Sequence, residues 1–174
     1  LDIYNQDIGL INNGLQLYDF QPVFLSAPVG WIAGALYVGK LSVMQIFQSG
    51  RSTEYMNGIL AENKTVEGRL NRGKFSQYQP GDLVYLREDV PLPGGTVREI
   101  PNRALIKITI VDSFPTFERM LSLTRLELVL PRAKSIADGE AIYRAIYPAA
   151  EEAEYGVLAI HFELLQENPA TLTR

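Results

Sequence analysis

The sequence predicts an α+β fold: a mixed sheet curling into a small barrel with flanking helices, preceded by an N-terminal extension. Three observations lead there. Strand-like patterns dominate residues 41–165, helices fall between only some of the strands, and the regular strand–helix–strand series of a doubly wound parallel sheet is missing. The chain has 174 residues, 47% of them apolar, enough for one domain with a real core.

Each element has a local reason. Residues 1–39 mix Asn, Gly and Gln with scattered apolar groups such as Leu15, Phe24 and Trp31, and read as an extension that docks on a core or a partner. The domain proper is expected over 40–166, with 167–174 as a loose tail. Residues 41–47 read as a strand. Gly50 and then Ser52 or Thr53 start a helix whose apolar stripe is Tyr55, Met56, Ile59 and Leu60. Val66, Gly68 and Leu70 alternate with Glu67 and Arg69, which places the two charged residues on one strand face, about 6.6–6.8 Å apart. Residues 71–74 form a basic turn, and 79–82 a second turn, served by Asp82, that launches a strand over 83–86.

Residues 88–102 carry Pro91, Pro93, Gly94, Gly95 and Pro101 and are expected to form a long loop, a candidate mobile flap. Residues 104–111 alternate as a central strand. A short helix is expected over 113–121, with Pro115 in its first turn. Residues 126–130 read as strand or helix end. Ser135 and Asp138 resemble a capping box that opens a helix through Tyr147, with Ile142, Ala145 and Ile146 inward and Pro148 as its stop. A last strand over 156–165 turns Leu158, Ile160, Phe162 and Leu164 to one face.

Composition removes several chemistries. There is no cysteine, so disulfides, thiol catalysis and cysteine-ligated metals are excluded. A lone histidine, His161, excludes a two-histidine ribonuclease site within one chain; it reads as a partly buried structural group. No cofactor or metal is called for. The net charge of -4 argues against bulk attraction to nucleic acid but leaves room for a local basic cleft. The window 28–47 is the most apolar, but Lys40, Ser42 and Gln45 break it short of a spanning helix; a membrane-contacting hairpin is its lesser reading. The chain begins at Leu1 rather than Met, which leaves room for a removed targeting segment.

The chemistry concentrates in Asn63-Lys64-Thr65-Val66-Glu67-Gly68-Arg69-Leu70. Lys64 and Arg69 suit phosphate, and the arginine fork suits bidentate contacts. Glu67 can accept from a base amino group, or act as a general base if its pKa is raised. The competing reading is that these charges pair and fix the strand. Arg72 and Lys74 extend the positive patch, with Phe75 and Tyr78 for stacking. Arg103 and Lys107 are placed on a neighbouring strand, and Arg132 and Lys134 before the late helix, where they could meet phosphate.

This segment, followed by Tyr78-Gln79-Pro80-Gly81-Asp82-Leu83-Val84, resembles the ASCH domain, a branch of the PUA-like superfamily. Phe117-Glu118-Arg119-Met120-Leu121, Leu130-Pro131 with Ser135-Ile136-Ala137-Asp138-Gly139, and Glu154-Tyr155-Gly156-Val157-Leu158 follow in the family's order, so the resemblance covers roughly residues 41–165. It implies a PUA-like barrel with a cleft lined by the Lys-Thr-Val-Glu-Gly-Arg segment, and an RNA-related function. One branch hydrolyses the acetyl amide of N4-acetylcytidine with a lysine, a threonine three positions later, and a glutamate before the late helix. Lys64 matches the lysine, but Glu67 stands at the threonine position and Arg132 near the glutamate position.

The leading expectation is therefore RNA or modified-nucleoside binding through Lys64, Thr65, Glu67, Arg69, Arg72, Lys74 and Arg132. The alternatives are a metal-independent ribonuclease or amidohydrolase using Lys64 and Glu67, and an assembly subunit docked through residues 1–39. RNA or a nucleotide-sized ligand is the expected partner; DNA and membrane are not. An intracellular, cytoplasmic location is expected, or an organelle after removal of a targeting segment.

Overall fold

The computed structural model describes residues 44–169; the expectations for residues 1–39, for 41–43 and for 170–174 lie outside the described residues. Among the described residues, five strands form one mixed sheet in the order β1-β3-β4-β5-β2. Strand β1 (Ile46–Ser52) runs parallel to β3 (Leu83–Pro91). The remaining pairs are antiparallel: β3 with β4 (Val97–Phe114), β4 with β5 (Val157–Glu167), and β5 with β2 (Val66–Leu70). The fold is α+β, and the sheet curls into a half-barrel flanked by helices.

Strand β5 shows why the sheet has two cores. Its residues Val157 to Ile160 are all buried, so neither face meets water. Leu158, Ile160 and Phe162 enter the interior core with Val84, Leu86, Ile106 and Ile108. Helix α1 (Thr53–Leu60) plugs that interior with Met56 and Ile59. Val157 and Ala159 face the opposite way, into a second core with Val66, Leu70, Phe117, Met120 and Tyr143. That core is roofed by helices α2 (Phe117–Leu123), α3 (Leu126–Val129) and α4 (Ile136–Arg144). Alternation in β5 therefore assigns consecutive residues to different layers.

Register then fixes β2. Glu67 pairs with Ile160 and Arg69 with Leu158, so both charged residues share the interior face, while Gly68 pairs with Ala159 and faces the helices. Gly68 lets the helical layer approach closely. A Cβ there would overlap the Tyr143 hydroxyl and come within 2.7 Å of Tyr143 Cζ and 2.8 Å of Met120 Cε. Tyr143 stacks on Phe117 with ring centroids 4.0 Å apart, which joins α4 to α2 over that glycine.

Several elements differ from expectation. The first strand runs on through Gly50 and Arg51 to Ser52, which then stands at the N-cap of α1. Residues 88–102 are not a flap but a hairpin: Pro91 pairs with Val97, Val90 with Arg98, Asp89 with Glu99 and Glu88 with Ile100. Gly94 and Gly95 supply positive φ in its tip. Pro101 sits in a bulge beside Asn102, itself at φ 50°, where the ladder shifts register. Pro and Gly thus mark a turn and a bulge rather than a loop.

Strand β4 continues to Phe114, so the helix expected from Ser113 begins only at Phe117, where Thr116 Oγ1 accepts from Arg119 N at 3.0 Å. Residues 126–129 are helical. Helix α4 is capped by Ser135 as expected, but it ends at Arg144, and Ala145 and Ile146 are exposed because Tyr143 takes the inward position. A further helix, α5 (Ala149–Tyr155), follows Pro148. Its buried Glu152 accepts from the Phe117 backbone N at 2.6 Å and from Arg144 at 2.5 Å, satisfying the start of α2. Asp82 serves its turn, accepting from the backbone N of Gln45 and of Gln79, each at 2.8 Å.

Two glycine substitutions should act in opposite directions. Gly68→Ala should cost about 1–3 kcal/mol in urea unfolding because the core must spread. Gly58→Ala, inside α1 with its nearest neighbour at an ordinary 3.4 Å, should be neutral or stabilise by up to about 1 kcal/mol. Equal effects would contradict the packing described for Gly68.

Candidate functional site

The edge strands β1 and β2 are not paired with each other; charged side chains bridge them. Arg51, at the end of β1, places Nε 3.3 Å from Glu67 Oε2. Lys64, in the turn before β2, places Nζ 3.3 Å from the same oxygen. Arg69, two residues along β2, places Nε 2.9 Å from Glu67 Oε1. One carboxylate thus holds three cations at the seam of the half-barrel. Alternation puts Glu67 and Arg69 on that face, and the seam brings Arg51 across.

Burial makes the arrangement consequential. Arg51 is 4% exposed, Lys64 2% and Glu67 8%, so little water shares their charge. Burial alone would push the Glu67 carboxyl up, but Arg51, Lys64 and Arg69 hold it down, from an ordinary 4.5 to about 2. Glu67 is therefore an ionised anchor rather than a base with a raised pKa. Burial pulls both Arg51 and Lys64 below their ordinary values, with Glu67 opposing in each case. For Arg69 burial also pulls downward, but Glu67 and the Tyr147 hydroxyl outweigh it and raise the guanidinium.

Lys64 has no free donor. Its Nζ donates to Val66 O at 2.8 Å and Val129 O at 2.5 Å, and its third proton faces Glu67. Three acceptors call for the ammonium form. These contacts tie the turn before β2 to α3. Arg51 donates from NH1 to Ser49 Oγ and Gly50 O, both at 2.7 Å.

The other expected site residues divide. Arg69 faces outward from the cluster, with NH1 3.1 Å from the Tyr147 hydroxyl and its guanidinium 5.0 Å from the Phe75 ring centre. Phe75 and Tyr147 line a depression of about 330 Å³ together with Leu70, Arg72, Gly73 and Lys74. Arg72 pairs with Glu151 at 2.9 Å. Lys74 donates to Gln48 O at 2.6 Å; partial burial lowers its pKa, helped by Arg51, Arg69 and Arg87. Arg69, Arg72 and Lys74 are thus brought together. Thr65 is half-buried and its backbone joins Leu128 O and Phe162 N.

Arg132 stands apart. It is exposed, pairs with Glu54 at 3.2 Å, and rims a different cavity of about 590 Å³ whose wall includes Tyr55 and Lys64. Lys134 is exposed too. Arg103 and Lys107 pair with Glu88 and Glu163 instead of reaching the cluster. Tyr78 belongs to the interior core, against Phe47 at 4.5 Å, and is not available for stacking. His161 is partly buried, 3.5 Å from Asp112.

Sequence reasoning missed Arg51, Tyr147 and the support of Tyr143. Arg51 carried no motif, and only the curl of the sheet brings it to Glu67. Among the described residues no cluster of three or more His, Asp or Glu is arranged for a metal ion, and no helix is long and apolar enough to cross a membrane.

Comparison with known proteins adds to this geometry. The model of the ASCH domain matches residues 52–166. Hypothetical protein PH0355, of known crystal structure, is similar at 33% identity and a TM-score of 0.58, over 70% of this chain and 100% of its own. Protein PF0455 from Pyrococcus furiosus, solved by NMR, is similar at 32% identity and a TM-score of 0.55, over 71% of this chain and 99% of its own. No curated protein matches.

The cluster predicts a pH signature. Glu67 is held below its unfolded value, so its contribution is fully present above about pH 4.5 and is lost as pH falls through about 2. Glu67→Gln should cost about 3–5 kcal/mol at pH 7, where the buried Arg51 and Lys64 and the part-buried Arg69 lose their counter-ion. That cost should shrink by about 2 kcal/mol between pH 7 and pH 3, measured by urea unfolding of both proteins. A cost that does not change with pH would contradict an ionised Glu67.

Proposed function

The chain belongs to the ASCH domain family, and from that premise we propose that it binds RNA, or a nucleotide-sized ligand, at the depression beside the charged cluster. The observation that carries this reading is the imbalance of the cluster: Arg51, Lys64 and Arg69 surround a single carboxylate. The excess positive charge is buried, so water and salt screen it weakly, and its field emerges where Arg69, Arg72 and Lys74 come to the surface. Phe75 and Tyr147 lie at that point. A base can lie against an aromatic wall while its phosphate meets Lys74 or Arg72, a combination suited to unpaired nucleotides. The broad association of the family with RNA and nucleoside ligands agrees.

In this reading Lys64 and Glu67 act from behind the surface. Lys64 adds its charge to the cluster and ties the turn before β2 to α3, and Glu67 keeps three cations in place. Amide hydrolysis through Lys64 is less well supported. All three of its donors are engaged, and Glu67 occupies the position where the hydrolase branch of the resemblance carries threonine. A role for residues 1–39 in assembly concerns residues outside the described part of the chain.

Short single-stranded RNA should bind more tightly at low salt than at high salt. Lys74→Ala and Arg72→Ala should each weaken binding by about tenfold and each reduce the salt slope by about one. Fluorescence anisotropy with a labelled oligonucleotide measures both. Affinity unchanged by either substitution, or no binding at 50 mM salt, would sink the assignment.

A further inference from the structure

Lys74 belongs to two depressions at once. One is the depression of Leu70, Arg72, Phe75 and Tyr147 already described. The other, of about 390 Å³, is bounded by Gln48, Ser49, Tyr85, Arg87, Glu99 and Pro101 and shares only Lys74 with the first. The Lys74 side chain forms the ridge between them. Its Nζ rests on Gln48 O, in the wall of the second, and lies 5.4 Å from the ring centre of Phe75, in the wall of the first.

The two depressions differ in chemistry. The first is aromatic and basic. The second is polar, and its arginine is already neutralised: Arg87 donates from Nε to Asp89 at 2.7 Å and pairs through NH1 with Glu99 at 2.8 Å. An arginine so matched is a poor phosphate ligand. Its Nε and NH1 are held by two carboxylates and its orientation is fixed, which makes its flat face a platform on which a base can stack. Glu99 and Gln48 O can accept from an exocyclic amino group. The second depression therefore suits a base, and the cation next to it, Lys74, suits the phosphate that joins that base to its neighbour.

We infer that the site takes two linked nucleotides: one base against Phe75 and Tyr147, the next over Arg87, and the phosphodiester between them at Lys74. This rests on the binding reading above and deepens it by naming the ligand class as a single-stranded RNA step rather than a free nucleoside. The site reads at least two consecutive residues, and the second carries an amino-bearing base.

Binding of the dinucleoside monophosphates CpA and ApC, against the 3′- and 5′-monophosphates of cytidine and adenosine, tests this by calorimetry. The better dinucleotide should bind at least tenfold more tightly than any mononucleotide, and Arg87→Ala should remove that advantage while leaving mononucleotide affinity unchanged. Arg87 is substantially exposed on β3, and a thermal melt verifies that the variant is folded. Lys74→Ala should weaken both ligand classes. Equal affinity for mono- and dinucleotides, or a dinucleotide advantage indifferent to Arg87→Ala, overturns the two-nucleotide site while leaving nucleotide binding intact. No binding of any of these ligands, together with none of longer RNA, overturns the binding reading itself.

Discussion

The structure turns on one buried carboxylate. Glu67 meets Arg51 from β1, Lys64 from the turn before β2, and Arg69 from its own strand, each within 3.3 Å. Hydrogen bonds run across the sheet from β1 to β2 by way of β3, β4 and β5, and leave the two outer strands to be joined by side chains. Taking charges out of water costs several kcal/mol per ion, so such a cluster persists only when every charge has partners. Lys64 meets this condition with two carbonyls, and Arg51 with Ser49 and the Gly50 carbonyl. The partners of the cluster are also its anchors: the loop beside α3, the end of β1, and Tyr147 beyond α4.

The same cluster links fold to surface chemistry. The protein as a whole is acidic, with a net charge of -4. Its surface carries carboxylates that pair with most exposed arginines, as Arg72 does with Glu151 and Arg87 with Asp89 and Glu99. Two buried cations and the part-buried Arg69 against one carboxylate are the exception. In the proposed reading, positive potential generated where screening is weak emerges beside Phe75 and Tyr147. A surface patch of lysines would attract nucleic acid more generally. This arrangement favours a short contact in a defined position.

The fold was legible where periodicity was strong. Alternation in residues 66–70 placed Glu67 and Arg69 on a common face, and alternation in 158–164 gave the interior face of β5; register shows that these are the same face. The Ser135 cap was legible from its spacing to Asp138. What failed depended on pairing that sequence does not display. Residues 88–102 looked like a loop because prolines and glycines count against a strand, yet they sit where a hairpin tolerates them, at a turn and in a bulge. Helix α5 was hidden behind Pro148, which reads as the stop of one helix but stands at the N-cap of the next. Arg51 was invisible because its role comes from the curl of the sheet. Tyr78 illustrates the reverse error: an aromatic beside a basic turn suggested stacking, but it packs in the core.

Glu67 holds the seam by acting on its cations as one unit, and a double-mutant cycle between Arg51→Met and Glu67→Gln measures that coupling. Unfolding free energies of the two single variants, the double variant and the parent at pH 7 give the coupling between strands β1 and β2. Groups in one buried charge network couple by about 0.5–3 kcal/mol, and the account predicts a value in the upper half of that range, with the double variant less damaged than the sum of the singles. Additivity within about 0.3 kcal/mol would contradict it, since Arg51 and Glu67 would then contribute independently and the seam would be held by something else.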